Sequence, residues 1–231
     1  MRGLLYKNLI LFRMELLCIA VLQITISATV LLTTLTGMNS PEGTLILYLC
    51  MFLILSFIES GLFAPDENPA TRSFLIAAPT TATGHIESKY YFILLLNLGV
   101  LICCFLTDTV AFAVTADENT MTGIMLVLLL SVNLIMEAFS LPFIVYFGAE
   151  HGLGIKGAVL GALALLVMIY ALFGDISYFL SNDFMTALEK LFDNENVLLM
   201  LSLLPYTAFG LFYGSCKLSC TLYRKGAEND D

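Results

Sequence analysis

Charge is scarce in this chain, and positive charge is scarcest. Asp, Glu, Lys and Arg make up 13% of its 231 residues, with 10 Lys and Arg against 19 Asp and Glu. A water-soluble domain carries about 25% charged residues, so ordinary soluble enzymes and regulators are disfavoured. Too few cations remain to neutralise a phosphate backbone, which excludes nucleic acid as a main partner. Motifs for chemistry are missing as well. No G-x-x-x-x-G-K-[ST] loop is present to cradle a nucleotide phosphate, and the run from Gly152 to Gly157 has the wrong spacing for one. His85 and His151 belong to no H-E-x-x-H, and neither Ser60 nor Ser215 has a His within an apolar run to activate it. The six cysteines form no C-x-x-C pair and have no His at metal-ligand spacing, so they read as small apolar packing residues. Cys216 and Cys220, four apart on one helix face, leave a thiol pair open. The sequence predicts no enzymatic activity, no cofactor and no metal.

What is abundant is apolar surface: 59% of residues are hydrophobic and the mean hydropathy is +0.90. A spanning helix needs roughly 20 apolar residues, and the uncharged stretches have that length. They predict an all-α membrane protein, one transmembrane domain over 1–231, with six spans at about 10–36, 44–64, 87–116, 121–148, 157–174 and 197–216. Strands of a membrane barrel would instead alternate with period two over about ten residues. Arg2 and Lys7 before an apolar run resemble a secretory signal, but Arg13 and Glu15 interrupt it and no cleavage site follows, so the segment is expected to be retained. Leu4, Leu5, Leu9 and Phe12 recur at helical spacing among Arg2, Lys7 and Arg13, which predicts an N-terminal interfacial helix.

Basic residues gather on the cytoplasmic side of membrane proteins. With the N-terminus inside, Arg2, Lys7, Arg13, Arg72, Lys89, Lys156, Lys217, Arg224 and Lys225 are cytoplasmic and Lys190 alone is outside. Both termini are therefore expected in the cytoplasm. The outer loops hold eight acids against that one base, so the outer face is strongly acidic. Two loops exceed simple connectors. In the outer loop 175–196, Phe184, Leu188, Leu191 and Phe192 predict a short amphipathic helix, with Asn182 as its N-cap. In the inner loop 64–89, Asn68 and Pro69 form a helix-start signal and Pro79 a stop, which predicts a short cytoplasmic helix over 68–78.

Ionisable residues inside a bilayer are costly and face a bundle interior or a cavity. Asn133, Glu137 and Ser140 form one polar stripe on the fourth span; Asn97, Cys104 and Asp108 form another on the third. Glu137 is on average about 24 Å along a helix from its two flanking acids, too deep to snorkel. No basic residue falls deep within the expected spans, so Glu137 is expected to be neutral. Two readings of Glu137, Asn133 and Asp108 stay open: hydrogen bonds that fix helix packing, or a substrate path. Gly157-x-x-x-Gly161 and Gly210-x-x-x-Gly214 allow close helix approach, within one subunit or between two.

Glu59-Ser60-Gly61, Asp66-Glu67, and Ala78-Pro79 leading through Ile86 to Ser88-Lys89-Tyr90 resemble the inner loop of membrane subunits of type-2 ATP-binding-cassette exporters, in their small bacterial branch. The start, Leu4 to Asn8, and the span count resemble that family too. Pro69, Ala70, Arg72, Thr80 and Thr81 depart from its loop pattern. The resemblance implies a permease in the bacterial cell membrane, paired with a second permease copy or a related one, and driven by a separate ATPase subunit. It also implies that Glu59, Asp66, Glu67, Arg72, Pro79 and Lys89 form or position the element the ATPase pushes. Two other classes compete: an ion- or proton-coupled secondary transporter using Glu137, Asp108 or Glu59, and a non-transporting membrane scaffold.

Overall fold

The computed structural model describes residues 2–38, 41–63, 82–115, 120–173 and 195–229. Those residues form seven helices and, among them, no strand: α1 (Arg2–Leu11), α2 (Arg13–Leu35), α3 (Pro41–Ser60), α4 (Ala82–Thr115), α5 (Thr120–Phe147), α6 (Ala149–Phe173) and α7 (Glu195–Asn229). Five stretches within α2, α3 with the turn after it, α4, α5 and α7 are long and apolar enough to cross a membrane: Arg13–Leu35, Gly43–Phe63, Thr83–Val114, Gly123–Phe147 and Val197–Arg224. The expected helix over 68–78 and the short helix expected after Asn182 in the outer loop lie outside the described residues.

The packing is that of a protein with an apolar coat and a core in which polar side chains are set among apolar ones. On α2, Ile19, Gln23, Ile26, Val30 and Thr34 recur at helical spacing and are buried, whereas Leu17, Val21, Ile24 and Leu32 are exposed. Lipid solvates the exposed side, so polar groups turn inward to find partners. Gln23 meets Cys104 at 3.7 Å, and Thr107 donates to Ser27 at 2.8 Å. With Phe12 packed edge-on to Phe92, these contacts run in the same direction along both helices, so α2 and α4 are parallel. Against α3 the order reverses: Tyr48 meets Asp108, Glu59 meets Asn97, and Leu62 meets Lys89. Cys220 to the Thr83 carbonyl, Lys217 to Glu87 and Phe212 to Tyr90 set α7 antiparallel to α4 as well.

Helix ends follow local chemistry. Gly37, at φ 67°, ends α2; its N–H bonds the Thr34 carbonyl and the Met38 N–H bonds Thr33, the paired closure of a Schellman motif. The α1–α2 break falls at Phe12, which is buried. Gly148, at φ 93°, is the whole connection between α5 and α6. A Cβ on Gly152 would sit 2.1 Å from Ile144 Cγ1 and 2.8 Å from its Cα. Glycine is therefore what lets the first turn of α6 lie directly on α5.

This hairpin corrects one expectation. The sequence reading treats 149–156 as an inner loop, with Lys156 on the cytoplasmic surface. Residues 149–156 instead start α6, and Lys156 is buried at 2% exposure.

Candidate functional site

The buried charge of the bundle collects where α3, α4, α5 and α6 meet. Glu137 lies in α5, 0% exposed. Its Oε1 accepts from Lys156 Nζ at 2.6 Å and from Ser56 Oγ, and its Oε2 from Ser140 Oγ at 3.4 Å. Lys156 Nζ also donates to the Ser56 carbonyl at 2.7 Å. Backbone geometry explains the meeting. Glu137 lies eleven residues before Gly148 and Lys156 eight after it, so the two stand about 16 Å and 12 Å from the same turn by the helical rise. A lysine side chain covers the difference.

The Lys156 contact thus overturns the expectation that Glu137 has no base within reach. A buried ion pair stands only when geometry is good and other hydrogen bonds satisfy its remaining atoms; the two Ser hydroxyls and the Ser56 carbonyl meet that need here. Pro142, inside α5, has no N–H to give the Ala138 carbonyl, a break one turn from Glu137.

Beside this pair runs a chain of amides. Asn133 Nδ2 donates to Asn97 Oδ1 at 2.7 Å, and Asn97 Nδ2 donates to Glu59 Oε1 at 2.7 Å. Asn133 therefore serves Asn97 rather than Glu137, although both share one stripe of α5. Asp108, half-buried toward the other end of α4, accepts from Tyr48 Oη at 2.7 Å. Cys104 lies between, against Gln23.

The residues that the resemblance assigns to ATPase coupling divide in two. Glu59 is fully buried in the amide chain. Lys89, 2% exposed, donates to the Leu62 carbonyl at 2.8 Å and lies 4.7 Å from the Phe63 ring centre. Asp66, Glu67, Arg72 and Pro79 lie outside the described residues. Sequence reasoning missed Lys156, Ser56 and Tyr48. The signal for Lys156 was available in Gly148 and Gly152, which permit a helix to restart without a loop.

Among the described residues, no group of three or more His, Cys, Asp or Glu could hold a metal ion, and all six cysteines are free. Cys104, Cys216 and Cys220 are buried, while Cys18, Cys50 and Cys103 face outward. A Cβ added to Gly157, Gly161, Gly210 or Gly214 would meet nothing within 4 Å among the described residues, so neither glycine pair marks a close helix contact there.

A model of the family described as ABC-2 family transporter protein matches residues 3–224. No curated protein and no solved structure matches the chain. The match covers nearly every helix of a bundle built for a membrane, and the chain belongs to the ABC-2 transporter membrane family.

Proposed function

We propose that the chain is the permease subunit of an ATP-driven exporter, with ATP hydrolysis in a separate subunit and with two permeases enclosing the substrate path. The observation that carries this reading is the family match over residues 3–224, in a sequence with no phosphate-binding loop of its own. In this reading α6 is also a span, the fifth in chain order, and brings the number to six. Its 25 residues reach about 37 Å at the helical rise, enough for a bilayer core. Alternating helix directions and the placement of Lys and Arg support cytoplasmic termini and an α1 lying at the inner interface, and the resemblance implies a bacterial cell membrane. The loop 64–81 then faces the cytoplasm, and its 68–78 segment is the element an ATPase would push, near Asp66, Glu67, Arg72 and Pro79. Glu59 and Lys89 flank that loop at the ends of α3 and α4, so they can pass its movement into the bundle as positioning residues. The outward-open Gly157–Gly161 and Gly210–Gly214 faces suit close packing by a second permease.

Purification of the tagged protein from its native membrane in mild detergent tests the reading. An ATP-hydrolysing cassette protein in stoichiometric amount is the expected companion. A folded permease recovered with no such ATPase, under conditions that preserve other membrane complexes, would count against it.

A further inference from the structure

Glu59 is buried, and among the described residues no ion pair reaches it. Its side chain is 0% exposed. Oε1 takes the Asn97 amide, whose own oxygen is already used by Asn133. Oε2 is buried and has no hydrogen-bond partner among the described residues. From α5 and α6, the charged groups acting on it are Glu137 and Lys156. α4 presents the neutral Asn97, with Lys89 further along and bonded to the Leu62 carbonyl. On α3 itself, Ser56 lies one turn away and turns its hydroxyl to Glu137.

Among the described residues, the charge count at this cluster does not close. Lys156 stands 2.6 Å from Glu137, and no second described cation stands against the Glu59 carboxylate. An unpaired carboxylate inside an apolar bundle costs far more than a neutral acid. We propose that Glu59, Glu137 and Lys156 form a proton-binding site that holds one proton, carried on the Glu59 carboxyl, while Glu137 stays ionised against Lys156. The proton makes Glu59 a neutral partner for Asn97 and so ties α3 to α4. When water enters between these helices, Glu59 gives its proton to that water, becomes a carboxylate, and competes with Glu137 for Lys156. The site thereby couples protonation to which acid on α3 or α5 the α6 lysine holds. None of this depends on an ATPase.

Infrared spectroscopy of the full-length protein in lipid nanodiscs at neutral pH tests the site. Wild type should show a protonated-carboxyl stretch that moves when glutamate side-chain carboxyls are isotopically labelled. Glu59→Gln should remove that stretch, Asp108→Asn should leave it, and Lys156→Met should add a second one as Glu137 loses its cation. Thermal unfolding gives an independent readout: wild type should lose stability as pH rises and Glu59 is driven to ionise, while Glu59→Gln should be flatter over the same range. Absence of the stretch in wild type, its failure to move with labelled glutamate, or its persistence in Glu59→Gln would overturn the proposal. The labelling experiment needs no substitution, so its failure overturns the proposal even if a variant fails to fold.

Discussion

Lys156 shows how one residue changes meaning when its helix is seen. In sequence it stands among Glu150, His151, Gly152 and Gly154, the composition of a solvated turn; in the structure its ammonium is buried on Glu137 at 2.6 Å. Hydropathy cannot reveal this, because the pairing depends on the sharp reversal at Gly148. The stripe Asn133, Glu137, Ser140 was legible as inward-facing polarity, and all three are buried. Their partners were not, since Asn97, Ser56 and Lys156 come from other helices. Removing one member of a buried ion pair leaves a stranded charge and costs about 3–5 kcal/mol, whereas replacing both with apolar groups is often neutral. Glu137→Gln alone should therefore lower stability by about that amount, and Lys156→Met added to it should restore much of the loss. Unfolding of the detergent-solubilised variants measures both. Equal destabilisation by the single and double variants would mean that the pair is not the reason Glu137 matters.

At the scale of elements, charge punctuation places the helices well. The spans expected at 87–116 and 121–148 correspond to Ala82–Thr115 and Thr120–Phe147. The sixth expected span, 197–216, lies within a helix that continues to Asn229, because Lys217 ends the apolar stretch without ending the helix, which lysine favours; it pairs there with Glu87 at 2.8 Å. Hydrophobicity marks where lipid begins; a helix can run on into water. The α5–α6 hairpin tests whether packing or composition sets its geometry. Gly152→Ala would force a Cβ to 2.8 Å from the Ile144 backbone, and such overpacking costs about 1–3 kcal/mol. Gly154 has open space around it, so Gly154→Ala should be neutral or stabilising, since Ala favours a helix over Gly by about 1 kcal/mol. Thermal unfolding of the two variants side by side checks the contrast. Similar effects from both would show that the close approach at Gly152 carries no weight.

For the whole molecule, the inner loop links the bundle to its proposed driver. Asp66 and Glu67 precede the helix expected over 68–78, where a helix N-terminus favours acids, and Arg72 stands within it. Asp66→Ala combined with Arg72→Glu is expected to weaken ATPase binding or uncouple hydrolysis from transport while the buried cluster stays intact. Co-purification and ATP hydrolysis by the variant complex are the readouts. Unchanged binding and coupled hydrolysis would remove these residues from the transmission element.

All of this requires that the loop face the cytoplasm, where ATP is. Single cysteines introduced at Asn39, Ser73, Glu118 and Ala227, read with a membrane-impermeant thiol reagent on intact cells, measure that directly. Six spans with both ends inside predict labelling at Asn39→Cys and Glu118→Cys, with protection at Ser73→Cys and Ala227→Cys until the cells are opened. Labelling of Ser73→Cys from outside would put the loop beyond the reach of any cytoplasmic ATPase and contradict the account at its centre.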